Sequence, residues 1–111
     1  MAQENWESLI NKAKKGDQNA YNELIHRIEP DIKKICHSYF SSNEDAEDAE
    51  QESYFIIYRS LAGLGRAPIR DPGKFRAWAK KITRNECLNI LGKLQVQLEH
   101  CYELSFSFGS D

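Results

Sequence analysis

Six of the fifteen basic side chains of this 111-residue chain lie in one stretch, residues 74 to 93, which reads "KFRAWAKKITRNECLNILGK". Lysine and arginine side chains at helical spacing bind phosphates, and an aromatic ring or an amide beside them contacts unstacked bases. The stretch therefore suggests the chemistry of single-stranded nucleic-acid binding. A solvated surface helix is the alternative, because the net charge of the whole chain is only −2.

The helical periodicity of this stretch assigns a direction to each side chain. At about 100° per residue, one side is apolar and is expected to face the core. Its members are Phe75, Trp78, Ala79 and Ile82. A basic stripe at i, i+4 and i+8, formed by Arg76, Lys80 and Arg84, is predicted on the opposite side, with Trp78, Lys81 and Asn85 along the border. Trp78 as a simple core aromatic and Asn85 as a surface amide remain open alternatives.

Charge of the opposite sign precedes this stretch. Residues 41 to 54 carry six acids and no base, whereas residues 66 to 93 carry eight bases and two acids. A helix over residues 43 to 62 would direct Asp48, Gln51, Glu52 and Phe55 outward. Its inward residues would be Ala46, Ala49, Tyr54, Ile57 and Leu61. Acids around an exposed ring are typical of a protein-binding patch; the alternatives are a solvated face or pairing with the basic segment.

The elements that must position these residues are predicted to be helices throughout, so the expected fold is a compact all-α bundle of about four to five helices. The first helix is expected to end at Gly16, and Asp17 is expected to cap the second. Pro30 is predicted to break or kink that second helix. Asp71 followed by Pro72 is a helix start, and the last long helix is predicted to end at Leu91 or Gly92. The domain is therefore placed at residues 1–92, with 93–111 as a tail or the start of a linker.

Composition and spacing exclude several classes of function. No apolar run approaches the roughly 18 residues of a membrane span, and the N-terminus does not resemble a signal peptide, which predicts a soluble cytoplasmic protein. The three cysteines, Cys36, Cys87 and Cys101, are odd in number and widely spaced, which favours reduced thiols. No metal-ligand spacing, nucleophile arrangement or phosphate-binding loop is present, so we expect no enzyme activity, no cofactor and no metal.

Three segments in order resemble one known family. "KAKKGDQNAYNELIHRIEP", "DAEDAEQESYFIIYRSL" and, after a loop, "FRAWAKKITRN" are similar to the N-terminal promoter-binding domain, region 2, of the extracytoplasmic-function (ECF) sigma factors of bacterial RNA polymerase. The resemblance covers about residues 5 to 92. It implies a transcription-initiation factor whose fold is the helical bundle of sigma region 2.

The resemblance also implies two sets of site residues. The acidic helix would dock on the clamp helices of the largest subunit of core RNA polymerase, through Asp48, Gln51, Glu52 and Tyr54 or Phe55. The loop and last helix would melt the minus-ten promoter element and hold the non-template single strand. That DNA-binding set comprises Leu64, Arg66, Arg70, Lys74, Arg76, Trp78, Lys80, Lys81, Arg84 and Asn85. An anti-sigma factor is a further partner that the resemblance suggests.

The chain departs from the family pattern in ways that leave a second hypothesis open. Glu50 stands on the inward face, where the family usually has a branched aliphatic residue, and the loop before the last helix is longer than usual. The helix-turn-helix domain that reads the upstream promoter element does not follow, so we expect a fragment or a shortened protein. The alternative function is a sigma-like protein-interaction module, such as an anti-sigma decoy or regulator, without productive DNA binding.

Overall fold

The structure, a computed structural model, describes residues 5–64, 69 and 71–108, with side chains described as far as residue 99. The helices of these residues are α1 (Trp6–Lys14), α2 (Gln18–Tyr39), α3 (Asn43–Leu61) and α4 (Phe75–Phe108), with a short 3-10 helix, Pro72–Lys74, leading into α4. The prediction of an all-α bundle is confirmed. Among the described helices, none combines the length and the apolar character that a bilayer crossing requires.

The helix starts follow from capping residues at the predicted positions. The Asp17 carboxylate accepts a hydrogen bond from the Ala20 backbone N–H at 3.1 Å, and Ser42 Oγ accepts one from Asp45 at 3.4 Å. Asp71 accepts from the Gly73 N–H at 2.9 Å, with Pro72 at the first helical position. Each cap satisfies a backbone donor that the helix itself leaves unpaired.

The first and third helices end in the same way, on a glycine with positive φ. Gly16 has φ 96° and Gly63 has φ 80°, values that side chains with a Cβ rarely adopt. Beyond α3, the N–H of Gly63 donates to the Ser60 carbonyl at 3.2 Å and that of Leu64 to the Arg59 carbonyl at 2.9 Å. This Schellman arrangement satisfies the last carbonyls and turns the chain away from α3.

Two helix boundaries differ from the expected ones. Of the two outcomes predicted for Pro30, the break is wrong, because α2 runs continuously from Gln18 to Tyr39, and the kink stays a prediction. Pro30 has no N–H to donate to the carbonyl of His26, four positions earlier. Both residues are exposed, so that carbonyl is left to solvent. The last helix also continues past Gly92 to Phe108. Gly92 has open space around it, and a single helical glycine costs only about 1 kcal/mol relative to alanine.

One core holds the four helices together. The buried residues of α2 recur at every fourth position: Ala20, Leu24, Ile28, Ile32 and Cys36. They pack with Ala46, Ala49 and Ile57 of α3 and with Phe75, Ala79 and Cys87 of α4. Complete burial of each large aliphatic side chain contributes about 1.5–3 kcal/mol. Ile69, which lies between α3 and α4 in the sequence, is also buried in this core.

Two of the cysteines are neighbours within this core. Cys36 of α2 and Cys87 of α4 are both fully buried free thiols, with their Sγ atoms 3.9 Å apart. Burial raises the pKa of the Cys36 thiol to about 12, and the neighbouring Cys87 adds to the shift. A thiol held neutral in this way is a poor nucleophile.

Candidate functional site

The predicted core face of α4 is correct for its apolar residues, but the face is wider than the sequence indicated. Phe75, Ala79 and Ile82 are buried, and so are Thr83 and Cys87. The Thr83 hydroxyl donates to the Ala79 carbonyl at 2.9 Å, which allows this polar side chain to lie in the core. The inclusion of Thr83 and Cys87 rotates the buried face towards the predicted basic stripe.

The basic stripe is therefore not directly opposite the core. Arg76 and Lys80 lie on the flank of α4 that faces α2, where both approach Asp31. Arg76 Nε and a terminal guanidinium nitrogen donate to the two Asp31 carboxylate oxygens at 2.5 and 3.2 Å, and Lys80 Nζ lies 3.9 Å from Asp31 Oδ1. Hydrogen bonding to Arg76 lowers the pKa of Asp31, so this carboxylate stays ionised. Arg76 is thus paired within the protein, and phosphate binding by this side chain stays a prediction.

The remaining polar residues of α4 point to solvent. Lys81, Arg84 and Asn85 are exposed, and within the described part of the chain neither Lys81 nor Arg84 forms an ion pair. Trp78 is half-buried, with its ring 5.5 Å from that of Phe75 at a tilt of 37°. The Phe75 ring also lies 5.6 Å from that of Trp6. The tilted rings of Trp6, Phe75 and Trp78 therefore pack together at the start of α4, the helix that carries the cations.

The loop residues of the DNA-binding set are only partly described. Leu64 is 70% exposed directly after α3, and Lys74 is exposed in the short 3-10 helix before α4. Arg66 and Arg70 lie outside the described residues. The described loop residues of the set therefore precede the start of α4. The base pocket that the resemblance implies for this loop stays a prediction.

The outward face of α3 has the predicted composition. Asp48, Gln51, Glu52 and Phe55 are all exposed, and Phe55 retains 59% of its surface. The guanidinium of Arg59 lies 5.6 Å from the centre of the Phe55 ring, within the distance of a cation–π interaction. Tyr58, one turn further, is 47% exposed and extends the aromatic surface. Tyr58 was not among the predicted residues, although its i, i+3 spacing from Phe55 indicates that the two side chains share a face.

Tyr54 has a different environment from Phe55. It is half-buried and packs against the core, and within the described structure its buried hydroxyl has no hydrogen-bond partner. Burial raises its pKa, so the ring stays neutral. Of the two aromatic residues considered for polymerase binding, Phe55 is therefore the one whose ring is available at the surface.

Glu50 is buried between α2 and α3, as its inward position predicted. It is 4% exposed, and its nearest basic partner is His37, whose Nε2 lies 3.8 Å from Oε2. Burial raises the pKa of Glu50, while Lys33 and His37 oppose the shift. The carboxylate lines a groove together with Asp48, Gln51 and Tyr54, so the acidic character of the α3 face extends inward.

Glu86 of α4 lies near Glu52 of α3. Burial raises the pKa of Glu86, and the interaction with Glu52 raises it further. Glu52 therefore marks the border between the acidic face of α3 and the basic helix that follows. Among the described residues, no cluster of His, Cys, Asp and Glu has the arrangement of a metal site.

Comparison with known proteins identifies a family. Residues 24–96, about two thirds of the chain, match the family described as Sigma-70 region 2. The chain is 29% identical over 85 residues to the ECF RNA polymerase sigma-E factor of Haemophilus influenzae, covering 77% of this chain and 42% of that protein. The proteins of the same description from Salmonella typhimurium LT2 and Escherichia coli K12 are 31% and 30% identical over 83 residues, covering 75% of this chain and 40% of each relative.

The chain spans about two fifths of the length of these curated relatives. The search of solved structures found no match. The matched residues include all of α3 and the first two thirds of α4, which carry the two charged faces. The chain belongs to the sigma-70 region 2 family, as the resemblance to ECF sigma factors indicated.

Proposed function

We propose that this chain is the region 2 domain of an ECF-type sigma factor, acting in the cytoplasm, which binds core RNA polymerase and recognises and melts the minus-ten promoter element. The observation that carries the proposal is the opposite charge of two outward faces within the family match. The outward face of α3 carries Asp48 and Glu52 around an exposed ring, and that of α4 carries Lys81 and Arg84 beside Asn85. The family match favours this function over that of a decoy without DNA binding. The sigma factor family consists of transcription regulators rather than enzymes.

Each face has a distinct task in this proposal. The α3 face contacts a basic surface of core polymerase, where Phe55 supplies apolar contact area and the acids steer the encounter. The α4 face binds the non-template strand after opening. Duplex opening costs stacking energy, so a surface that binds unpaired bases and neutralises phosphates shifts the equilibrium towards the open form.

The division of labour on α4 can be tested by two kinds of substitution. Lys81→Ala removes a phosphate contact, so single-strand affinity should fall for all sequences and its salt dependence should flatten. Asn85→Ala should instead relax the preference at one position, by about 1–3 kcal/mol if the amide contacts a base edge through two hydrogen bonds. Fluorescence anisotropy with a randomised minus-ten oligonucleotide pool, followed by sequencing of the bound fraction, separates the two.

The matched control is Lys14→Ala, an exposed lysine in the last turn of α1 with the same charge change. It should leave both affinity and preference close to those of the parent. A uniform loss from Asn85→Ala, equal to that from Lys81→Ala and without any change in preference, would contradict the base-reading role. Equal effects of Lys81→Ala and Lys14→Ala would contradict DNA binding by the α4 face.

A further inference from the structure

A second groove, between α2 and α4, lies beside the proposed DNA-binding face. Its volume is about 480 Å³. The residues that line it are Asp31, Lys34, Ile35, Ser38, Tyr39, Lys80 and Arg84. Five of these seven come from α2, an element to which the sequence analysis assigned no function. Arg84, which precedes Asn85 on α4, links the groove to the outward face of that helix.

The groove is strongly basic. Lys34, Lys80 and Arg84 line it, against Asp31 as its one carboxylate. That carboxylate already accepts both hydrogen bonds from Arg76, so its charge is offset by a cation from outside the groove. Neither Lys34 nor Arg84 forms an ion pair with any residue in the described ranges. The groove therefore retains an excess of positive charge, which attracts an anion.

The floor of the groove has a different character from its rim. Tyr39 and Ile35 are half-buried and pack against the hydrophobic core, which fixes their orientation. Ser38 is engaged locally, because its hydroxyl donates to the Ile35 carbonyl at 2.6 Å. A fixed aromatic ring among cations offers both a stacking surface and phosphate contacts, the combination that binds one unit of a single-stranded nucleic acid.

We propose that this groove binds one nucleotide of the single strand, with its phosphate between Lys34 and Arg84 and its base against Tyr39. This inference rests on the proposed function, because it extends the path of the strand from Asn85 over Arg84 into the groove. An acidic peptide would satisfy the cations equally well, but it would leave the ring of Tyr39 and the side chain of Ile35 without a complementary partner.

The test uses neighbouring lysines of α2 as a matched pair. Lys33 and Lys34 are both exposed. Lys33, however, pairs with Glu29 at 3.1 Å, and both of these residues line the other groove, the one that contains Glu50. Lys34→Gln should weaken binding of a labelled single-stranded oligodeoxynucleotide and reduce the slope of log affinity against log salt by about 0.7. Lys33→Gln should leave the slope unchanged. Equal slopes for the two variants would overturn the phosphate contact.

The ring is tested separately from the charge. Tyr39→Phe keeps the ring and should bind like the parent, whereas Tyr39→Leu keeps an apolar side chain without a ring and should lose about fivefold or more in affinity. Thermal unfolding checks that each variant is folded; if Tyr39→Leu is not, Tyr39→Trp replaces it and should bind at least as tightly as Tyr39→Phe. Parent-like binding by folded Tyr39→Leu, or weaker binding by Tyr39→Trp than by Tyr39→Phe, would overturn the stacking role.

Two further arms identify what fails. If Lys81→Ala weakens binding while Lys34→Gln and Tyr39→Leu do not, the groove is not part of the strand path and the proposed function stands. If none of the three changes affinity, both proposals fail. Poly-glutamate is the competitor that tests the peptide alternative: displacement of the oligonucleotide at equal charge concentration would overturn the nucleotide assignment, and weak displacement supports it.

Discussion

The outward faces of α3 and α4 differ in how their charges are held. Within the described residues, neither Asp48 nor Glu52 on α3 forms an ion pair. On α4, by contrast, Arg76 and Lys80 converge on Asp31 of α2. The acidic face therefore keeps its charge for an external partner, whereas the basic face is divided between cations fixed by the fold and cations open to solvent. In the proposed function, the α3 acids are therefore free to steer core polymerase, whereas DNA binding also depends on where α2 holds the cations.

The largest expected effect is a loss of stability in the core that supports both faces. Phe75 is 1% exposed and its ring contacts those of Trp6 and Trp78. Phe75→Ala should lower the free energy of unfolding by about 3–5 kcal/mol, because it leaves a cavity at the start of α4. Urea unfolding followed by circular dichroism measures this loss. Leu88→Ala, on the same helix at 54% exposure, is the control and should change stability by less than about 1 kcal/mol; equal losses would show that the core does not depend on Phe75.

The next effect separates the faces. Asp48→Lys combined with Glu52→Lys reverses the α3 charge and should weaken binding to core polymerase at least about tenfold, which is roughly 1.4 kcal/mol. Single-strand binding should be retained. The control with the same net charge change is Glu23→Lys with Glu99→Lys, on α2 and α4. Biolayer interferometry at two salt concentrations measures the affinity for core polymerase. An equal loss of affinity in the control would mean that binding depends only on the net charge of the protein.

The sequence predicted the helices better than it predicted their lengths and rotations. Capping residues and i, i+4 apolar spacing are local signals, so Asp17 and Asp71 could be assigned as caps from the sequence. The continuation of α4 beyond Gly92 was missed because one glycine is only a weak stop. Thr83 was not placed in the core because its hydroxyl is polar, and Cys87 was not because the predicted apolar face ended at Ile82.

The candidate site shows the same limit more clearly. The outward residues of α3 follow from periodicity within one helix, and the structure places all four where they were expected. The pairing of Arg76 with Asp31 joins residues 45 positions apart and depends on how α2 packs against α4. Periodicity within α4 carries no information about that packing, so Asp31 and the groove beside it could not be predicted.

The buried Glu50 beside the acidic face should make the stability of the fold depend on pH. Because its pKa is raised by burial, ionisation of Glu50 opposes folding. Stability should therefore fall as pH rises from the ordinary carboxyl pKa of 4.5 through the raised value, and be unaffected by this group below that window. Glu50→Gln should remove this part of the pH dependence and should leave stability at neutral pH equal or higher. Urea unfolding from pH 4 to 8 measures it; a destabilised Gln variant at pH 7 would show that the contact with His37 outweighs burial.

The smallest expected effect concerns the carboxylate that divides the basic face. Asp31→Asn breaks the pairing with Arg76, and since Arg76 is exposed the loss of stability at neutral pH should be only about 0.2–1 kcal/mol. The pKa of Asp31 is lowered in the fold, so its contribution is present above the ordinary carboxyl pKa and disappears as pH falls through the lowered value. The parent and the variant should therefore become equally stable in acid.

The same substitution should act in the opposite direction on DNA. Removing the carboxylate leaves the cations of the α2 and α4 groove uncompensated and releases Arg76, so single-strand affinity should rise about two- to threefold at low salt and the salt dependence should steepen. Glu29→Gln is the matched control, because it also removes one negative charge and one ion pair from α2, but on the side of Lys33. A gain confined to Asp31→Asn means that Asp31 restrains the basic face locally. Equal gains in both variants would mean that the strand responds to net charge alone, and that the division of the α4 cations has no consequence for binding.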